Sequence, residues 1–150
     1  HIEEILNTYP KARFIFLHRN PRFSMPSISN LAFNLRLGYS NHVDPILVGN
    51  QMLLYWQDAT EKLLNGRELI PKDQMIDLQF NHLIDDPIKI TNQIFEKFSI
   101  KHDEAFERKL TTRIGTKNLK SKHSYSYEKF FRASGEVENK FVNYISYFDL

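Results

Sequence analysis

The residues best suited to bind an anion lie in a short stretch between Arg19 and Ser27. Arg19 comes directly before Asn20 and Pro21, an N-cap residue followed by a proline that suits the first position of a helix. Ser27 stands eight residues after Arg19. A guanidinium offers a planar fork of donors to phosphate oxygens, and the free N–H groups at a helix start favour negative charge. The spacing therefore predicts a phosphate site in which Arg19, Ser27 and these N–H groups converge.

A buried strand should position this site. The run from Phe14 to Leu17 is continuously apolar, which is typical of a parallel strand covered on both faces. Arg19 would then lie at the carboxyl end of the strand, where open α/β sheets bind ligands. His18, between the strand and Arg19, is either a buried strand-end histidine or a further donor in the anion site.

Helices and a second strand are predicted along the rest of the chain. The helix after Asn20 should continue to Gly38, and Pro26 should kink it or delay its regular start. A long helix ending near Gly66 should place Trp56 in the core. Residues 73–80 are predicted to form the second strand, and the final helix should pack its apolar face on the core. The long helix and two further helices should begin directly after acidic cap residues, namely Asp44, Asp86 and Asp103.

Composition limits the class of protein. The 150 residues are 41% hydrophobic, enough for one domain with a core, and no apolar stretch reaches membrane-spanning length. A net charge of +2 is too small to indicate a nucleic-acid partner. The chain has no cysteine, so disulfides and cysteine-ligated zinc are excluded, and a reducing cytoplasmic location is expected. None of the five glycines builds a Walker-type or GxGxxG loop.

Two stretches resemble sulfotransferases that use 3′-phosphoadenosine 5′-phosphosulfate (PAPS), in particular the bacterial type. The family has a strand ending in Arg-Asp/Asn-Pro with a serine eight residues on, and Arg19-Asn20-Pro21 with Ser27 is similar. Residues 9–12, Tyr-Pro-Lys-Ala, are similar to the family's lead-in to that strand. Residues 80–87 resemble the signature Tyr-Glu-Asp-Leu-x-x-Asp-Pro and match it at Leu83, Asp86 and Pro87.

The resemblance assigns roles to individual residues. Arg19 and Ser27 would hold the 3′-phosphate of the nucleotide. Phe80 stands where the family has a tyrosine near the adenine, so Phe80 is either a nucleotide contact or an ordinary core aromatic. Residues 122–126 look like the His-x-Tyr-Ser ending of bacterial members, so Lys122 and His123 would close over the 3′-phosphate. The segment 113–123 is otherwise a solvated basic loop.

The implied fold is the helix-rich part of a three-layer α/β/α, P-loop-like domain with a parallel sheet. Residues 1–150 would form a single C-terminal part of the catalytic domain, which lacks the family's upstream loop for the 5′-phosphosulfate and is inactive alone. The implied reaction transfers a sulfuryl group from PAPS to the hydroxyl or amine of a small-molecule or glycan acceptor, without a metal. No catalytic base is assigned within the chain.

Two other classes of function remain as alternatives. The first is a non-enzymatic α/β domain that binds an adenine nucleotide or another protein, and the second is a kinase-like enzyme acting on nucleoside phosphates. The scattered histidines lack the spacing of a zinc site, and His82 is read as a structural residue.

Overall fold

The structure is a computed structural model that describes residues 1–115 and 125–150 of the chain. Helices predominate, and two short 3₁₀ helices, Arg67–Leu69 and Lys72–Gln74, precede the second strand. In chain order the other elements are α1 (Ile2–Thr8), β1 (Phe14–His18), α2 (Pro21–Leu37), α3 (Pro45–Gly66), β2 (Met75–Gln79), α4 (Phe80–Asp85), α5 (Pro87–Lys97), α6 (Glu104–Gly115), α7 (Glu136–Lys140) and α8 (Val142–Phe148).

The chain divides into two compact units. The strand unit contains His1–His18 and Gly66–Lys122, of which the described part ends at residue 115. The helical unit contains Arg19–Asn65 and His123–Leu150, of which the described part resumes at residue 125. The helix-rich α/β class predicted from the sequence is confirmed, because most of the described elements are helices and β1 pairs with β2 in a parallel sheet.

The sheet of the strand unit aligns β1 with β2 in register. Phe16 pairs with Asp77 and His18 with Gln79, so alternate residues of both strands face the same side. The prediction that β1 is covered on both faces is wrong for the described residues, because Ile15 is 50% and Leu17 is 45% exposed. Successive side chains of a strand point to opposite faces of the sheet. In β1 the exposed Ile15 and Leu17 therefore share one face, and the buried His18 lies on the other.

The second strand is shorter than predicted. Residues 73 and 74 belong to a 3₁₀ helix, and Phe80 begins α4 instead of ending the strand. The predicted helix start at Pro87 is confirmed, since the Asp86 side chain accepts a hydrogen bond from the Lys89 N–H at 2.9 Å. The helix after Asp103 is confirmed by a similar bond from the Phe106 N–H at 2.8 Å.

The helical unit is built around an apolar core to which α2, α3, α7 and α8 contribute. Pro26 lies inside α2, but the helix already begins at Pro21, so the predicted delay is wrong. Proline removes one N–H and leaves the first turn intact. The buried core side chains are Met25, Leu53, Phe130, Phe131, Val137, Phe141 and Tyr144.

Two predictions in the helical unit need correction. Trp56 is 38% exposed, so it is not a core residue, because the buried residues of α3 all lie earlier in the helix, at Val48, Gly49 and Leu53. The final helix is two short helices, α7 and α8, which meet at Phe141. Its apolar face nevertheless packs on the core as predicted, since Val137 and Phe141 are buried.

Within residues 1–115 and 125–150, no helix is both long enough and apolar enough to cross a membrane.

Candidate functional site

The junction between β1 and α2 carries the predicted anion site. β1 ends at His18, and Asn20 caps α2 by accepting a hydrogen bond from the Arg22 N–H at 2.9 Å. Pro21 occupies the first helical position, as predicted. Arg19, between the strand and the cap, is exposed to solvent. The chain therefore presents a cation at the start of a helix, where the helix dipole also favours an anion.

The first amides of α2 differ from the prediction. The Arg22 N–H is bound by the Asn20 side chain, and the Phe23 N–H donates to the Asn20 carbonyl at 3.0 Å. The Ser24 N–H reaches the same carbonyl at 3.4 Å, and Pro21 has no N–H. These amides already have partners within the chain, so they are not the free donors that the sequence suggested. The candidate site is left with side chains and the helix dipole.

Ser27 lies on the same side of α2 as the capping residue. Seven residues separate it from Asn20, and seven residues are close to two turns of helix. At 1.5 Å per residue, Ser27 lies about 10 Å along the helix axis from the cap. Arg19 precedes the helix and Ser27 lies two turns into it, and a phosphate contact shared by both side chains stays a prediction. Ser27 is half-buried.

Arg22, the other arginine at this junction, has a structural role. Its guanidinium forms an ion pair with Glu138 of α7 and lies 5.5 Å above the ring of Tyr127. The hydrogen bond that Arg22 donates to Glu138 raises the pKa of Arg22 above its usual value. Burial is the largest single influence on Glu138 and would raise its pKa, but the hydrogen bond from Arg22, a backbone hydrogen bond and the charge of Arg22 together outweigh burial and lower it. Arg22 therefore fastens the start of α2 to α7.

His18 lies in a cluster that the sequence analysis did not foresee. It is only 3% exposed, and its Nε2 lies 2.8 Å from Oδ1 of Asp77 on β2. Oδ2 of Asp77 accepts from Arg67, which is 4% exposed. Burial is the main cause that lowers the pKa of His18, although the hydrogen bond to Asp77 opposes this shift.

The other predicted site residues are Phe80, Lys122 and His123. Phe80 is half-buried at the first position of α4 and belongs to the strand unit, whereas Arg19 and Ser27 belong to the helical unit. Lys122 and His123 lie outside the described residues. The structure therefore places Arg19 directly before α2 and Ser27 within it, and all five site assignments stay predictions.

No candidate metal centre occurs among the residues that the structure describes, because no three histidine or carboxylate side chains converge there. His82 is exposed on α4. The candidate site is thus a surface with a guanidinium and a hydroxyl at a capped helix start, which is suited to a phosphate group.

Comparison with known proteins identifies the family. The sequence model of the Sulfotransferase family matches residues 1–104. The structure is similar to the crystal structure of sulfotransferase STF9 from Mycobacterium avium, with 20% identity, a TM-score of 0.82 and all of this chain covered. It is also similar to sulfotransferase STF1 from Mycobacterium tuberculosis H37Rv, with 22% identity, a TM-score of 0.80 and 95% of this chain covered. These matches span 39% and 36% of the two mycobacterial chains. No curated protein matches the sequence significantly.

Proposed function

The chain belongs to the sulfotransferase family, and we propose that it is part of an enzyme that transfers a sulfuryl group from PAPS to an acceptor hydroxyl or amine. The observation that carries this proposal is the β1–α2 junction, where Arg19 lies between a parallel strand and a capped helix that bears Ser27. The proposal takes the chain as a single C-terminal part of the catalytic domain. Support comes from the two mycobacterial structures, which extend well beyond the matched region.

Arg19 and Ser27 are assigned to the 3′-phosphate of the nucleotide. A guanidinium forms two parallel charge-assisted hydrogen bonds with a phosphate, and these are about twice as strong as bonds between neutral groups. The Ser27 hydroxyl adds a weaker neutral bond from the second turn of α2. The helix dipole contributes at the same end, so the site recognises charge and shape together.

Three further residues complete the proposed nucleotide site. Phe80 keeps an aromatic face for stacking on the adenine but has no hydroxyl for a polar contact. Lys122 and His123 are proposed to close over the 3′-phosphate. The acceptor is a small molecule or a glycan, and neither its identity nor a catalytic base is assigned to residues of this chain.

When bound, PAPS supplies the sulfuryl group, whose bond to the phosphate oxygen breaks as a bond to the acceptor oxygen or nitrogen forms. The acceptor proton leaves to a base outside the assigned residues. Such in-line transfers depend on positioning and charge stabilisation more than on covalent chemistry by the protein. Arg19 and Ser27 contribute the positioning, because they hold the nucleotide by a phosphate that does not react. The chain alone should show no transfer, since no residue in it is assigned to the 5′-phosphosulfate.

Calorimetric titration of the intact enzyme with two nucleotides tests the role of Arg19. Binding of 3′,5′-bisphosphoadenosine should weaken by about 10- to 100-fold in Arg19→Ala, since a charge-assisted hydrogen bond is lost and a phosphate is left unpaired. Binding of 5′-AMP should barely change, because it lacks the 3′-phosphate. Arg19→Lys should restore only part of the affinity, and Ser27→Ala should show the same selectivity with a smaller loss.

Lys89→Ala is the matched control for a lost cation. Lys89 is an exposed cation in the first turn of α5. Like α2, α5 begins at a cap residue followed by proline. Its removal should change neither affinity. Equal losses for both nucleotides in Arg19→Ala, or no loss, would show that Arg19 does not read a 3′-phosphate.

A further inference from the structure

A charged cluster of two buried residues, His18 and Arg67, and the partly exposed Asp77 lies at the end of β1. His18 and Arg67 are 3% and 4% exposed, and both contact the carboxylate of Asp77, one at each oxygen. An ionised carboxylate only accepts hydrogen bonds, so the proton of the His18–Asp77 bond resides on Nε2 of His18. Burial lowers the pKa of His18, so near neutral pH one carboxylate is shared between a neutral donor and a permanent cation.

The cluster connects three segments of the strand unit. His18 is the last residue of β1, Asp77 lies in the middle of β2, and Arg67 opens the 3₁₀ helix that follows α3. His18 and Asp77 face the same side of the sheet, because Asp77 pairs with Phe16, two residues before His18. The His18 ring also stacks on Phe16 at 6.3 Å between centroids, which fixes its orientation further.

Stability alone does not explain a charged cluster at this position. Buried ion pairs are often replaced by apolar side chains of similar volume with no loss of stability, because desolvation of the charges offsets their attraction. What the cluster provides is a fixed orientation of its side chains, since each hydrogen bond constrains the geometry of both partners. The backbone at the end of β1 is therefore held more precisely than apolar packing alone would hold it.

Arg19 is the next residue after His18, and this connects the cluster to the nucleotide. Resting on the proposed function of Arg19, we propose that His18 is a positioning residue, which through Asp77 and Arg67 fixes the backbone from which Arg19 reaches the 3′-phosphate. Because His18 is neutral, its contribution is one of geometry and not of charge. Misplacement of a binding group by about 1 Å can cost up to two orders of magnitude in rate or affinity.

Titration of the intact enzyme with 3′,5′-bisphosphoadenosine and 5′-AMP tests this role. His18→Phe keeps a ring of similar size and removes the donor to Asp77, so bisphosphoadenosine affinity should fall about tenfold while 5′-AMP affinity is unchanged. In His18→Gln the side-chain amide places a donor near the position of Nε2, so it should recover most of the loss. If His18→Phe does not fold, Asp77→Asn removes the carboxylate with little change in shape and should show the same selective loss.

His102→Phe is the matched control. His102 also bonds to a carboxylate, with Nε2 2.9 Å from Glu107, but it stands far from Arg19 in the sequence. Its replacement should leave both affinities unchanged. Equal weakening of both nucleotides by His18→Phe, no weakening at all, or no recovery in His18→Gln would each overturn the positioning role. In those cases a selective loss in Arg19→Ala still supports the nucleotide assignment, whereas a wild-type enzyme that binds both nucleotides equally overturns both proposals.

Discussion

The two units of the chain differ in what they bury. Of the described residues, the helical unit buries aromatic and aliphatic side chains, and its buried polar side chain is the uncharged Ser29. The strand unit buries His18 and Arg67 together with a few apolar residues, namely Ile70, Leu78, Ile90 and Phe98. One interior is thus held mainly by apolar packing, and the other contains hydrogen bonds to a shared carboxylate.

The two interiors rely on interactions that respond differently to substitution and to pH. Apolar packing depends on volume and is indifferent to pH, and it tolerates exchange among residues of similar size. A buried hydrogen-bonded cluster depends on direction and protonation, and the loss of one partner leaves another unsatisfied. We expect substitutions in the apolar core of the helical unit to change the free energy of unfolding equally at every pH. Substitutions in the cluster should change how that free energy depends on pH.

Removal of a core ring from the helical unit should have the largest effect. Phe130 is fully buried and meets Phe33 edge-on at 6.1 Å between centroids. Phe130→Ala should lower the free energy of unfolding by about 3–5 kcal/mol, because transfer energy is lost and a cavity remains. Urea unfolding at pH 6 and pH 8 should give the same loss. Tyr39→Ala is the control, since Tyr39 is 95% exposed. A loss at Phe130 that differs between the two pH values would contradict a purely apolar core.

Addition of a single methyl group at Gly49 tests how tightly that core is packed. A Cβ at Gly49 would overlap the carbonyl oxygen of Phe130 and lie 3.0 Å from its carbonyl carbon. Gly49→Ala should therefore destabilise by about 1–3 kcal/mol through overpacking. Gly38→Ala is the matched control at the end of α2, where the new methyl would lie 3.3 Å from the Leu35 carbonyl oxygen and φ is −67°. Comparable losses in the two variants would show that backbone crowding at Gly49 is not the cause.

One helix cap in each unit allows a direct comparison of the same local interaction. Asn20 begins α2 in the helical unit and Asp86 begins α5 in the strand unit, each accepting a backbone N–H at 2.9 Å. Asn20→Ala and Asp86→Ala should each cost about 1 kcal/mol in thermal unfolding. Asn20→Asp and Asp86→Asn keep the accepting oxygen and should cost much less. A cap variant without any loss would mean that its helix is held by packing alone.

The contrast between units also explains what could be predicted from the sequence. Helix starts at Asn20, Asp44 and Asp86 were predictable because a cap followed by proline is a local signal. The exposure of Trp56 was not, since its environment depends on which face of α3 is covered by distant residues. The same limit concealed the pairing of His18 with Asp77, because 59 residues separate them in the chain.

The candidate site shows the same division. The strand–helix junction that carries Arg19 and Ser27 was predictable because its signals are local, and the contact of both residues with one phosphate stays a prediction. The partners of the first amides of α2 were not foreseen, although the Asn20 carbonyl and side chain are the usual acceptors at a helix start. Phe80 belongs to the strand unit, and Lys122 and His123 lie outside the described residues, so these nucleotide contacts stay predictions.

The smallest expected effect is a pH dependence of stability that originates in the strand unit. Burial lowers the pKa of His18 below its ordinary value of 6.5. Below pH 6.5 the unfolded chain therefore binds a proton at His18 more readily than the folded chain. Stability should fall as the pH is lowered from 6.5, and level off below the folded pKa. Asp77 offsets part of the burial, which keeps this loss small.

His18→Gln should remove this decline, because glutamine does not titrate. Urea unfolding between pH 5.5 and 8 measures it, and Phe130→Ala is the control, since it should keep the wild-type slope while lowering the whole curve. Glu128 and Glu138 have pKa values below 4.5, so the stability that they contribute is lost only below this range. An unchanged slope in His18→Gln would place the titrating group elsewhere, and the distinction between an apolar unit and a unit with a titratable interior would no longer rest on His18.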